Sequence, residues 1–298
     1  MQGRHMRTIL VVAFAFFTIA ANSLGDEKGS DDVVFETGIV YSNPEGEPLA
    51  LNLARPKGDE KSRPAVVCIH GGGFRAGTRE HHDGLCKQLA ARGYVAVTVT
   101  YRLAPKHQFP AAVHDVKAAV RWLRANADKY GVDPDRIGAM GDSAGGHLAL
   151  FLGMTGDVKM FDDAGGGNAD QSSKVQCVVD IYGPSDLTRS YGKSVDAAEV
   201  LPLFFGGDLK TKRREHVVGS PLNWVSPHAP PTLAIHGTKD PYVAYEQSVW
   251  LVDRLLGMEV ESSLFTLEGA GHGFKGEDAE RAQAAMLAFF DKHLKKEK

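Results

Sequence analysis

Ile137-Gly138-Ala139-Met140-Gly141-Asp142-Ser143-Ala144-Gly145-Gly146-His147 runs from an apolar strand pattern, through a turn, into an apolar helix pattern that continues to Met154. At its centre is a G-x-S-x-G element, Gly141 to Gly145. A serine on so tight a strand-to-helix bend takes a strained backbone that pushes its hydroxyl out at the tip. Glycines two positions to either side are required because a Cβ there would collide across the turn. Ser143 is therefore the candidate nucleophile, and the surrounding chain is read for what a serine needs in order to react.

A serine hydroxyl is a weak nucleophile alone. It needs a base to take its proton and a carboxylate to orient that base. Downstream, in the order serine, acid, histidine, come two loops that each follow a strand pattern. The first is His236-Gly237-Thr238-Lys239-Asp240-Pro241, after Leu233-Ala234-Ile235. The second is Gly269-Ala270-Gly271-His272-Gly273-Phe274, after Ser262 to Leu267. Asp240 and His272 are the expected acid and base. Asp186, in Gly183-Pro184-Ser185-Asp186, is the competing acid. Upstream, His70-Gly71-Gly72-Gly73 follows the apolar run Pro64 to Ile69. Consecutive glycines can turn backbone N–H groups toward a developing oxyanion with no side chain in the way, so Gly71, Gly72 and Gly73, with the N–H of Ala144, are the expected anion hole. His70 is read as a brace for that loop.

The rest of the chain alternates strands and helices. Val33 to Tyr41 and Leu49 to Ala54 read as a hairpin. Beyond them come apolar strand runs at Pro64–Ile69, Tyr94–Tyr101, Arg136–Met140, Cys177–Tyr182, Thr232–His236 and Ser262–Leu267. Helix patterns fall at about 80–92, 110–130, 244–256 and 277–294. In the 110–130 segment Val113, Val116, Val120 and Leu123 recur at helical spacing. An antiparallel opening followed by βα units predicts an α/β fold: one mostly parallel, doubly wound sheet of about eight strands. Gly156 to Ser173, rich in Gly, Asp and Asn, is expected to be an exposed loop. Thr188 to Ser226 is expected to be a small cap-like insertion roofing a pocket.

Composition bounds the remainder. The 298 residues carry a net charge of −3, with 43% hydrophobic and 24% charged side chains; no basic footprint for nucleic acid is present. Arg4, His5 and Arg7 precede the apolar run Ile9–Ala21 and the small residues Ser23 and Gly25. That is the pattern of a secretory signal, so residues 1–25 are expected to be removed, leaving 26–298 as a single domain outside the cytoplasm with no stable membrane anchor. The alternative is an uncleaved anchor, although the run is shorter than the roughly 20 residues that span a bilayer. Cys68, Cys86 and Cys177 are read as buried hydrophobes without a redox or zinc motif. His81-His82-Asp83 is read as solvated surface rather than a metal site, because adjacent helix residues point to different faces. No metal and no cofactor are expected.

Together the motifs resemble the hormone-sensitive-lipase-like branch of α/β-hydrolase esterases, which pairs His70–Gly73 (HGGG) with Gly141–Gly146 (GDSAGG). Tyr101–Pro105, Phe109–Ala112, Asp115–Leu123 and Asp133–Gly138 are also similar. Val179–Leu187, Ser220–Leu222 and His236–Pro241 look more like the feruloyl and acetyl-xylan esterase-like subgroup. The loop His236–Pro241 departs from the D-P-L-x-D acid motif usual in the lipase-like branch. The resemblance spans roughly residues 35 to 293. It implies an ester hydrolase acting on small-molecule or polysaccharide-linked acetyl or feruloyl esters. A serine exopeptidase of the same fold and a non-catalytic binding protein stay open as alternatives, and the sequence does not fix the oligomeric state.

Overall fold

The computed structural model describes residues 32–58, 60–162 and 166–296. The expected signal segment lies outside these residues.

Eight strands form one sheet: β1 (Val33–Ser42), β2 (Leu49–Pro56), β3 (Arg63–Ile69), β4 (Val95–Val99), β5 (Val132–Asp142), β6 (Cys177–Ile181), β7 (Thr232–Gly237) and β8 (Ser262–Leu267). Their order is β1-β2-β4-β3-β5-β6-β7-β8. β1–β2 and β2–β4 pair antiparallel, and every other neighbouring pair is parallel. The expected hairpin and doubly wound sheet are both present. From β3 the chain steps to one side to make β4, then returns past β3 to make β5. This reversal opens a crevice at the C-terminal ends of β3 and β5, the place where sites form in open parallel sheets. Both glycine motifs begin there.

β3 is apolar from Pro64 to Ile69 because both faces are covered. Ala65, Val67 and Ile69 join one core cluster; Val66 and Cys68 join the other. The first cluster packs under α2 (Ala111–Ala125), α4 (Ala144–Met154) and α7 (Glu246–Leu256). The second packs under α1 (Asp83–Ala91) and α8 (Glu277–Leu294). All three cysteines are buried, as expected, and unbridged.

Three local readings need correction. The 110–130 segment is α2 followed by a separate turn, α3 (Ala127–Tyr130). The break falls at Asn126, whose side-chain amide and backbone N–H both donate to the Trp122 carbonyl, at 2.9 and 3.0 Å. The 156–173 segment is not simply an exposed loop. Phe161 is fully buried, with its ring edge-on to Phe151 at 5.0 Å and Trp224 at 5.1 Å. The helix expected from residue 80 begins as a 3₁₀ turn, Arg79–His82, before α1.

The 188–226 insertion holds α5 (Ala197–Phe205) and α6 (Arg213–Val218). It is stitched down at several points. Phe204 stacks on Phe74 at 3.9 Å, Leu222 N–H donates to Ser185 O at 3.0 Å, and Val195 N–H donates to Pro241 O at 3.0 Å. Buried Gln247 of α7 accepts from the N–H groups of Ser185 (3.0 Å) and Asp186 (2.7 Å) and donates to Asp186 O at 2.9 Å, fixing the start of the segment. Among the described residues no helix is long and apolar enough to cross a membrane.

Candidate active site

Ser143 occupies the bend between β5 and α4 with φ +53° and ψ −119°, a conformation that L-residues rarely adopt. Its N–H donates to Ile181 O at 2.9 Å, which pins the strained turn to β6. The glycines around it are sterically forced. A Cβ on Gly141 would lie 2.2 Å from Gly145 O, and one on Gly145 would lie 2.0 Å from Ile69 O.

The three residues expected to act together are brought together. Ser143 Oγ and His272 Nε2 are 3.0 Å apart, and His272 Nδ1 is 2.6 Å from Asp240 Oδ2. The Asp240 side chain is fully buried. Burial alone would raise its pKa, but hydrogen bonds from His236 and His272 and from the Val243 N–H hold the carboxyl well below the usual carboxylate range. Tyr242 N–H (2.8 Å) and Val243 N–H (2.9 Å) both donate to its Oδ1. The charge is thus kept ionised, with Oδ2 facing His272 Nδ1 at 2.6 Å and His236 Nε2 at 3.3 Å. Asp186 plays no such part: it accepts from Thr188 N–H at 3.0 Å and pairs with Arg189 at 3.1 Å.

The glycine loop faces the same pocket. The N–H groups of Gly72, Gly73 and Ala144 carry no hydrogen bond among the described residues. Gly72, at φ +114°, admits no side chain, because a Cβ would lie 2.2 Å from Ala76 O. Gly71 differs from its neighbours. Its N–H is already committed to Asp142 Oδ1 at 3.1 Å, so it shapes the loop instead of facing the pocket. His70 is buried, stacks on Tyr101 at 4.4 Å and bonds through Nδ1 to Gly71 O at 2.7 Å, bracing the loop as expected.

Asp142 reveals a partner that the motif alone does not. His82 Nε2 lies 2.9 Å from Asp142 Oδ1. His82 is buried, whereas His81 is exposed, so reading the pair as solvated surface holds only for His81. The divergence of adjacent side chains that argued for surface is what sends His82 inward. Burial pushes the His82 pKa down, but the Asp142 hydrogen bond and charge outweigh it and leave it raised; Asp142 is correspondingly lowered. His82, Asp142 and Gly71 thus link the start of α1, the nucleophile turn and the glycine loop. His81, His82 and Asp142 present ligand-type atoms within 4.8 Å of one another.

Two tyrosines flank the imidazole. The Tyr182 ring lies 4.4 Å from that of His272, and the exposed Tyr242 ring lies 5.3 Å away. Neither carries a sequence signal beyond its nearness to a strand end. The cavity above Ser143 is about 500 Å³, and Ala197, Val200 and Leu201 of α5 line part of its wall.

A mostly parallel eight-stranded sheet with a serine on the turn after β5 and a histidine on the loop after β8 defines an α/β-hydrolase fold. Within that fold the chain belongs to the BD-FAE family, whose profile matches residues 51–255. It is 35% identical over 241 residues to Esterase LipC of Mycobacterium tuberculosis, covering 77% of this chain and 58% of that one. The chain therefore spans a little over half the length of this curated relative. Among solved structures it is similar to a truncated carbohydrate esterase from gut microbiota (27% identity, TM-score 0.74, 88% of this chain and 97% of that one). It is also similar to the propionate-bound esterase Est2 of the planctomycete Thermogutta terrifontis (26% identity, TM-score 0.74, 91% and 98%).

Proposed function

We propose that this protein is a serine carboxylic ester hydrolase that works through an acyl-enzyme. The observation that carries the reading is the hydrogen-bonded chain from Ser143 Oγ through His272 to buried Asp240, set beside backbone N–H groups that have no partner among the described residues. In this reading Ser143 Oγ attacks the acyl carbon while His272 Nε2 takes its proton. Asp240 holds the Nδ1–H and stabilises the imidazolium that forms. The N–H groups of Gly72, Gly73 and Ala144 receive the oxyanion, each contributing about 3–4 kcal/mol to transition-state stabilisation. His272 returns the proton to the leaving alcohol, and water repeats the cycle on the acyl-serine. All of this uses side chains and backbone alone.

The substrates proposed are short-chain esters or carbohydrate-linked acetyl or feruloyl esters. The apolar wall of Ala197, Val200 and Leu201 suits a small acyl group, and two structural neighbours are described as a carbohydrate esterase and a propionate-bound esterase. The basic start and apolar run of residues 4–25 support export, with the enzyme acting outside the cytoplasm.

Ser143→Ala is expected to abolish turnover of p-nitrophenyl acetate and labelling by a fluorophosphonate probe, while circular dichroism stays unchanged. Near-normal turnover by this variant would refute the assignment.

A further inference from the structure

His81, Asp142 and Tyr182 stand between the cavity above Ser143 and a second groove of about 270 Å³ that runs between α1 and α8. At this junction three donor atoms converge. His82 Nε2 lies 2.9 Å from Asp142 Oδ1, and His81 Nε2 lies 4.0 Å from the same oxygen. The two histidine rings meet edge to face, with centroids 4.8 Å apart. His82 with Asp142 is by itself a buried ion pair that joins the nucleophile turn to α1. What changes its character is His81, an exposed imidazole brought onto a carboxylate that already has a partner.

The spacing is close to what a zinc-type ion needs. Four-coordinate zinc holds imidazole nitrogen and carboxylate oxygen at about 2.0–2.2 Å, which sets neighbouring donors about 3.3 Å apart. The separations of 2.9 and 4.0 Å bracket that value, and the exposed His81 can close the wider one by a small side-chain rotation. The other two donors are already held. His82 hydrogen-bonds the Ile69 carbonyl. Because Nε2 is turned to Asp142, the donor to Ile69 is Nδ1, which leaves Nε2 to take a cation in place of a proton. Asp142 Oδ1 is anchored by the Gly71 N–H at 3.1 Å, while Oδ2 accepts no hydrogen bond among the described residues. Two imidazoles with one carboxylate suit zinc, copper or nickel; magnesium and calcium prefer oxygen donors. His81 and Asp142 line the cavity above Ser143, so an ion enters through that opening. Once on Asp142 Oδ1 it competes with the Gly71 N–H for that oxygen, and Gly71 leads the loop whose next N–H groups face the pocket.

We propose that His81, His82 and Asp142 form an inhibitory site for a divalent transition ion of the zinc type, which lowers turnover by drawing Asp142 away from the glycine loop. The inhibition rests on the ester-hydrolase reading; the binding does not. The probe is zinc chloride, titrated calorimetrically into metal-free wild-type protein and into Ser143→Ala. One equivalent is expected to bind to each. His81→Ala is expected to weaken that binding roughly tenfold or more, since loss of even an outer partner of a metal ligand costs about 10–100-fold. His81 is exposed, so this variant is expected to keep the wild-type circular dichroism. Magnesium chloride is expected to give no binding heat at the same concentration. With p-nitrophenyl acetate, saturating zinc is expected to lower wild-type kcat roughly tenfold with KM little changed, because the loop acts on the transition state. EDTA is expected to restore the rate. His81→Ala, compared with its own metal-free rate, is expected to keep most of its activity at that zinc concentration. Zinc affinity unchanged in His81→Ala overturns the proposal. So does inhibition of equal depth in that variant, which would put the ion on His272. Bound zinc that leaves wild-type kcat untouched overturns the inhibitory role. If the wild type binds one zinc through His81 yet hydrolyses no ester, the esterase reading falls and the metal site stands; hydrolysis with no zinc bound has the opposite meaning.

Discussion

At the scale of single residues, the site depends on groups that the surrounding structure compels. Asp180 is an example away from the chemistry. It pairs in register with Gly141 and is fully buried; one oxygen accepts the Gly183 N–H at 2.9 Å, and the other has no partner among the described residues. Burial pushes its pKa up to about 8, against only one opposing hydrogen bond. The sign follows from linkage. Between about pH 4 and pH 8 the folded protein keeps a proton that the unfolded chain has released, so this group's contribution is full at low pH and fades as pH rises through 8. Asp180→Asn keeps the shape of the neutral acid and has no proton to lose. Its melting temperature is expected to fall less between pH 5 and pH 8 than that of the wild type; identical slopes would remove Asp180 as the source. Ser143, Asp240 and His272 were legible in the sequence because their requirements are local, resting on glycines at fixed offsets and on loops after strand patterns. His82 and Tyr182 were not. Their roles come from adjacency across long sequence separations, His82 and Asp142 being 60 positions apart, and no spacing rule records it.

At the scale of elements, strands were predicted well because β-branched runs buried on both faces are hard to mistake. Helix limits were less legible. α2 ends at Asn126, whose backbone leaves the helical region at φ −105° and ψ 17°, a change that periodicity does not sense. The insertion was recognised as a break in rhythm, but its fastening was not, since that depends on Gln247 from α7 some sixty residues beyond Ser185. Gln247 is the polar hub between α7 and the loop after β6. Gln247→Leu would leave the buried N–H groups of Ser185 and Asp186 unpaired. The expected cost is on the order of 3 kcal/mol in urea denaturation, with the m-value unchanged. A loss below about 0.5 kcal/mol, the usual range for surface substitutions, would show that these donors find other partners.

At the scale of the whole molecule, one sheet brings Ser143, Asp240, His272 and the glycine loop to one edge, and the switch between β3 and β5 determines which edge. The fold class and strand number could be read from the order of apolar runs. The continuity of the reactive pocket with the groove between α1 and α8 could not, because it arises from how two helices distant in sequence pack on the same face. The bond from Val195 N–H to Pro241 O has a further consequence. It fastens the roof of the pocket to the turn that carries Asp240, so outward movement of the roof would pull on the residue hydrogen-bonded to His272. The expectation is that substrate diffuses into a standing opening, with no lid raised at an oil–water boundary. Hydrolysis of p-nitrophenyl butyrate should therefore saturate smoothly as substrate passes its solubility limit, and a sharp jump in rate at that limit would mean the fastening gives way at an interface.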